Sequence, residues 1–169
     1  MRIAPLTDGL LKEARQRFRC GEAALDNWLA RQSNQYRKND LAQTYLLIDD
    51  EAGRVAGFYA LASASIPPDG WPEDIRGPRA RHHPLTAVLL GQLAVDERYA
   101  GQGYASDLLI DAMTRTAGLS RQIGITALIV DALHDKAARF YEYHGFRRFP
   151  DHPLTLMRSM QSIRRFLAR

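Results

Sequence analysis

The 169-residue sequence predicts a mixed α/β fold, a sheet with helices on both faces. Three observations lead there. Strand-like and helix-like periodicities alternate along the chain. Residues 44–66 read as two strands around the turn D-D-E-A-G-R. A buried-looking run, A-V-L-L-G-Q-L-A-V (Ala87 to Val95), ends in glycines and gives way to a long helical pattern.

The elements follow in order. Residues 2–6 (R-I-A-P-L) suit a short strand, at an edge because Pro5 lacks an N–H. Between Glu22 and Tyr36, the residues Leu25, Trp28, Leu29, Gln32 and Tyr36 fall on one helical stripe. Thr44–Ile48 and Val55–Ile66 form the hairpin. Pro67, Pro68, Gly70, Pro72, Gly77 and Pro78 crowd a loop with one short turn near Glu73–Ile75. Val88–Val95 is apolar on both faces, as a central strand is. From Ala105 to Ile123 one helical face collects Ala105, Leu108, Leu109, Ala112, Met113, Thr116, Leu119 and Ile123. Thr126–Val130 is a short buried strand. Asp135–His144 is a helix with Asp135 as N-cap and Gly145 just past its end. Phe146–Phe149 and Leu154–Met157 are two more strands. Residues 160–169 form a basic helix or a loose tail.

Composition bounds the class. The chain is 46% apolar and 25% charged, ordinary for a globular protein, and 169 residues suit one domain. No apolar run approaches the roughly 18–20 residues that cross a bilayer. The opening M-R-I-A-P-L-T-D-G lacks the apolar core of a signal peptide, and the single cysteine, Cys20, excludes an intrachain disulfide. The expectation is a cytoplasmic protein without a membrane role. The net charge of +4 suits an anionic partner without proving one, and arginine far outnumbers lysine (Lys12, Lys38 and Lys136 only).

The stretch R-Y-A-G-Q-G-Y-A (Arg98 to Ala105) suggests an anion site. Unpaired N–H groups point outward at a helix start, and glycine leaves room for a phosphate to reach them. Arg98 adds a charged donor. A P-loop is excluded, because no G-K-S/T follows. A dinucleotide fold is disfavoured: Ser106 stands at the third glycine position and no paired βαβ halves flank the motif. A turn whose glycines serve geometry alone remains open.

The pattern is more specific than two glycines. Arg98-Tyr99-Ala100-Gly101-Gln102-Gly103 resembles the R-x-x-G-x-G/A signature of the GNAT superfamily of acyl-CoA N-acyltransferases. L-A-V-D (Leu93 to Asp96) is similar to that family's central strand, and F-Y-E-Y-H-G-F (Phe140 to Phe146) to its F-Y-x-x-x-G-F segment. The resemblance spans nearly the whole chain. It implies a GNAT fold: a central, mostly antiparallel twisted sheet, splayed where acetyl-CoA binds. It implies that the N–H groups of Gln102, Gly103, Tyr104 and Ala105 hold the pyrophosphate, with Arg98 and Gly101 shaping the turn. The pantetheine arm would lie along Leu93, Ala94 and Val95, and a backbone N–H there would polarise the acetyl oxygen. Tyr141 resembles the tyrosine that protonates the departing thiolate; by spacing alone it could equally pack on the core. No general base is evident. Asp96 and Glu97 could be turn residues, and His134 and His144 structural. The histidines and cysteine show no metal-ligand spacing, so no metal is expected.

A narrower resemblance concerns the acceptor. F-R-C-G-E-A-A-L-D-N-W-L (Phe18 to Leu29), Val88–Asp96, Gln122–Ala132 and H-P-L-T-L-M (His152 to Met157) resemble the GNAT toxins of toxin–antitoxin pairs. That implies acetylation of the α-amino group of aminoacyl-tRNA, neutralisation by a ribbon-helix-helix antitoxin, and a homodimer. Candidate RNA phosphate contacts are Arg31, Arg37, Lys38, Arg76, Arg79, Arg81, Arg147 and Arg148, and Trp71 is a candidate for base stacking. Two other classes compete: a GNAT enzyme acting on a small amine or protein amino group, and a silent module binding CoA or nucleic acid.

Overall fold

The computed structural model describes residues 1–67, 70–72, 75 and 83–169. Among the described residues seven strands are hydrogen-bonded in the order β1 (Arg2–Pro5), β2 (Gln43–Asp49), β3 (Arg54–Ile66), β4 (Leu85–Val95), β5 (Ala127–Asp131), β7 (His152–Ser159) and β6 (Arg147–Phe149). The chain divides into two compact units. The first comprises Met1–Ala62 and Gly91–Ala112, the second Ser63–Leu90 and Met113–Arg169. Strands β3 (Arg54–Ile66) and β4 (Leu85–Val95) and helix α4 (Tyr104–Leu119) each contribute residues to both.

In the first unit, β1 (Arg2–Pro5) runs antiparallel to β2 (Gln43–Asp49), with Arg2 opposite Ile48 and Pro5 opposite Tyr45. β1 ends the strand order, as Pro5 requires. β2 and β3 form the expected hairpin around Gly53, whose φ is +60°. The core gathers Leu6, Phe18, Leu25, Trp28, Leu29, Leu46, Ile48 and Phe58. Trp28 stacks on Phe58 at 6.0 Å and Phe18 meets it edge-on at 5.4 Å. Gly57 is required by close approach. A Cβ there would lie 2.9 Å from the Ala94 carbonyl oxygen and 2.8 Å from Leu108 Cδ1.

The stripe expected over Glu22–Tyr36 is not one regular helix. A π turn (Trp28–Gln32) separates α2 (Ala23–Asn27) from α3 (Ser33–Lys38), and the Ser33 N–H donates to the Trp28 carbonyl five residues back. One extra residue per turn moves the inner face by one position. Ser33 is therefore buried, while Gln32 and Tyr36, expected inside, are exposed. The buried Arg15 guanidinium donates to the Leu29 carbonyl (3.5 Å) and to Ser33 Oγ (3.3 Å), and Ser33 Oγ donates to Leu29 O (2.6 Å). Arg15 lies on α1 (Lys12–Arg17), a helix the sequence pattern did not reveal because its buried position is an arginine.

In the second unit, β4 pairs in parallel with β5 (Ala127–Asp131) from Ala87↔Ala127 to Leu90↔Val130, where the ladder stops. β5 runs antiparallel to β7 (His152–Ser159), and β7 to β6 (Arg147–Phe149). Trp71, Ala87, Ala127, Ile129, Phe149 and Met157 share a core. Trp71 is 4% exposed, edge-on to Phe149 at 5.7 Å, with its indole N–H directed at the Ile66 carbonyl, so it is no stacking platform for a base. Helix α4 stops at Leu119, not at Ile123, and both of those side chains are exposed. Gly118 weakens the last turn, and the Ser120 hydroxyl draws on the Ala117 carbonyl (2.6 Å). Helix α5 (Asp135–Tyr143) is capped by His134, whose Nδ1 accepts the Ala137 N–H at 3.1 Å. Asp135, expected as the cap, instead pairs with Arg139 and Arg148. The tail is ordered as α6 (Met160–Leu167), with Ser159 Oγ accepting the Ser162 N–H. The turn expected at Glu73–Ile75 lies mostly outside the described residues.

Candidate acetyl-transfer site

The first unit carries the signature turn. β4 delivers the chain to Asp96, which is 3% exposed. Its carboxylate accepts the Arg98 N–H (2.9 Å), an Asx turn, and the Arg19 N–H (3.0 Å). The Glu97 N–H donates back to the Arg19 carbonyl (2.8 Å). Asp96 is thus a brace for the turn, and both of its oxygens are spoken for. A short 3-10 turn (Glu97–Tyr99) follows, and the Tyr99 hydroxyl donates to Asp49 at 2.6 Å.

Gly101 and Gly103 have φ of +74° and +86°, and α4 begins at the next residue, Tyr104. Side chains are disfavoured in that backbone region. A Cβ built on either glycine meets no atom within 4 Å. The glycines are therefore required by their backbone angles, and the space above them is open. The first-turn N–H groups of any α-helix lie beyond the reach of its own carbonyls. Open space, outward donors and the positive end of a helix fit a diphosphate. Arg98 is exposed and lines a pocket of about 160 Å³ with Arg17 and Arg54, while its own N–H is held by Asp96. Of the strand residues expected to carry the acyl chain, Ala94 is buried and Leu93 and Val95 are half-buried.

The second unit carries Tyr141. F-Y-E-Y-H-G-F closes α5 in a Schellman arrangement. The Phe146 N–H donates to the Tyr141 carbonyl (3.1 Å) and the Gly145 N–H to that of Glu142 (3.0 Å), with Gly145 at φ +83°. The Phe146 ring packs on Tyr141 at 5.7 Å, the apolar contact that accompanies this motif. Tyr141 is 7% exposed, and burial pushes its phenol well above the usual tyrosine range. It stays protonated at neutral pH, as a proton donor must. Tyr143, on another face, is 87% exposed.

No described residue stands out as a base. Asp96 is engaged and His134 caps α5; at His144, burial followed by the charge of Arg158 lowers the pKa, which favours the neutral imidazole. Among the described residues no cluster of three metal-ligating side chains occurs. The candidate RNA contacts divide. Arg31 is exposed and lines a pocket of about 400 Å³ with Arg19 and Asn27. Arg37 and Lys38 both lean on Asp8, and Arg148 is bridged to Asp135 and Glu142. Arg147 is exposed. Arg76, Arg79 and Arg81 lie outside the described residues. The sequence left Asp96 open as a turn residue, and the structure makes it one; its long-range bond to the Arg19 N–H had no sequence signal.

The chain belongs to the GNAT acetyltransferase family, whose domain matches residues 40–148. Within curated proteins it is 37% identical over 147 residues to the tRNA-acetylating toxin of Mycobacterium tuberculosis, covering 87% of this chain and 86% of that one. It is 34% identical over 157 residues to a probable TacT toxin of Sinorhizobium fredii, covering 89% and 87%. The structure of AtaT complexed with acetyl-methionyl-tRNAfMet superposes with a TM-score of 0.89 at 29% identity, covering 98% of both chains. A tyrosine-to-phenylalanine mutant of AtaT, bound to acetyl-CoA and the C-terminus of the antitoxin AtaR, matches with a TM-score of 0.80 at 27% identity over 99% of this chain and 98% of that one.

Proposed function

We propose that this chain transfers an acetyl group from acetyl-CoA to the α-amino group of aminoacyl-tRNA and thereby blocks translation. The observation that carries the acetyl-CoA half is the glycine-flanked start of α4, where Gly101 and Gly103 take positive φ and a Cβ on either would meet no atom within 4 Å. Support for the acceptor comes from the relatives, one a tRNA-acetylating toxin and another seen with an acetylated initiator tRNA.

Bound acetyl-CoA supplies an activated acyl thioester. The N–H groups of Gln102, Gly103, Tyr104 and Ala105 hold its diphosphate, and Leu93, Ala94 and Val95 offer the backbone that aligns the acyl arm and polarises its oxygen. The end of the β4–β5 ladder at Leu90↔Val130 frees the later β4 backbone from that pairing. Tyr141 gives its phenolic proton to the departing thiolate. An aminoacyl ester amine is less basic than a lysine amine, so more of it is neutral at pH 7. That suits a chain in which Asp96, just before the signature, is already bonded to backbone.

A ribbon-helix-helix antitoxin restrains the enzyme in this reading, as AtaR occupies AtaT, and two copies pair as a homodimer in the cytoplasm. The seven arginines and one lysine named above are the proposed RNA contacts; Arg31 and Arg147 are exposed, while Arg37 and Arg148 are held in ion pairs.

The test uses acetyl-labelled CoA with charged tRNA, deacylated tRNA, free amino acids and small amines. Label on charged tRNA alone supports the proposal. Label on small amines instead favours a metabolite acetyltransferase, and binding without transfer favours a silent CoA module.

A further inference from the structure

Arg158 stands near the end of β7 and is half-buried. Among the described residues no carboxylate pairs with it, and burial and the charge of Arg169 lower its pKa. A guanidinium so placed is costly unless its donors are used. Arg158 Nη1 donates to the His144 carbonyl at 2.7 Å and approaches Met113 Sδ at 3.7 Å, and Nε donates to Ser162 Oγ at 3.0 Å. Its Cζ lies 4.9 Å from the centre of the Phe166 ring. The first of these partners ends α5; Ser162 and Phe166 belong to α6.

His144 is the C-cap of α5, and the helix itself offers its carbonyl no donor. A cation there also meets the negative end of the helix. The same residue's N–H donates to the Tyr141 carbonyl (3.0 Å), which also receives the Phe146 N–H. Gly145 leaves the room: a Cβ at that position would lie 2.9 Å from Arg158 Cζ. The turn that holds Tyr141 is therefore closed from outside by one arginine, and that arginine is seated by the C-terminal helix.

We propose that Arg158 is a positioning residue for Tyr141, and that the basic C-terminal helix serves the reaction by seating it. The role rests on Tyr141 being the proton donor proposed above.

The experiment is a double-mutant cycle of Arg158→Gln and Tyr141→Phe in acetyl transfer to charged tRNA, joined to amide hydrogen exchange. Small misplacements of reacting groups cost on the order of 10- to 100-fold. Arg158→Gln should lower kcat by about that factor with KM for acetyl-CoA within about twofold. In the Tyr141→Phe background the same change should cost less than about threefold, because there is no donor left to place. The Gly145 and Phe146 amides should exchange at least about tenfold faster, while amides in the middle of α4 keep their protection. A merely structural arginine would give equal losses in both backgrounds, and that result overturns the proposal, as does unchanged exchange at Phe146. A Tyr141→Phe enzyme as fast as the wild type would remove the donor and the clamp together. Should Arg158→Gln not fold, Ser162→Ala and Phe166→Leu loosen the same head group, and the same cycle decides.

Discussion

Replacing Gly103 by alanine separates backbone strain from ligand contact. Gly103 has φ +86° and Gly101 φ +74°, and neither Cβ would touch the protein. Gly9 makes a matched control, with φ +73° and equally open surroundings. A left-handed conformation costs an ordinary residue about 1–2 kcal/mol. For a chain of this size that lowers Tm by roughly 2–8 °C, and Gly9→Ala, Gly101→Ala and Gly103→Ala should share the loss. Binding should divide them. At Gly103 the methyl group occupies the space proposed for the diphosphate and holds it off the first-turn N–H groups. One lost hydrogen bond to a charged group is worth about 1.5–3 kcal/mol, so affinity for CoA should fall about 10- to 150-fold. Gly9→Ala should bind CoA as the wild type does. Thermal melts and titration calorimetry with CoA read both quantities on the same samples. Gly103→Ala protein that binds CoA within about twofold of the Gly9→Ala control would refute the cradle.

Other consequences follow from the same structure. Gly57→Ala forces a Cβ to 2.9 Å from a backbone oxygen of the signature strand, so overpacking should cost about 1–3 kcal/mol and lower Tm by roughly 2–12 °C; a melt within 1 °C or so of wild type would contradict that crowding. Burial, with the Asp26 contact next, pushes the Cys20 thiol from 9.0 to about 12. Native protein at pH 8 should therefore react with iodoacetamide at least about 100-fold more slowly than unfolded protein, and equal rates would contradict the raised pKa of this half-buried thiol. Cys20 and Tyr141 are both raised in the folded state, so their contribution is complete below their unfolded pKa values and is lost as pH rises through the folded ones. Stability should decline from about pH 9 upward, the Cys20 share disappearing in a Cys20→Ala variant; a flat profile between pH 9 and 11 would contradict this.

The elements built on a simple period were legible in the sequence. The hairpin, the central strand and the glycine turn each announce themselves through alternation or through residues that demand one backbone conformation. Legibility failed where side chains replaced periodicity. The π turn at Trp28–Gln32 moves the buried face from Gln32 to Ser33, and no local pattern marks an inserted residue. Helix α1 hides because Arg15 occupies its buried position. His134 displaced Asp135 as a cap because Asp135 has two arginine partners, and those are set by tertiary contacts. In the candidate site, the positive φ of Gly101 and Gly103 and the turn closing the helix of Tyr141 were legible from the glycine spacing. The long-range bonds of Asp96 to the Arg19 N–H and of Arg158 to the His144 carbonyl were not, since their partners lie far away in sequence.

The most direct measurement is single-turnover acetyl transfer to charged tRNA by wild-type and Tyr141→Phe protein, with acetyl-CoA binding followed on the same samples. Transfer to the α-amino group, falling at least about 100-fold in the variant while acetyl-CoA affinity stays within about twofold, is the predicted result. Charged tRNA left unmodified by a wild-type protein that binds acetyl-CoA would contradict the account.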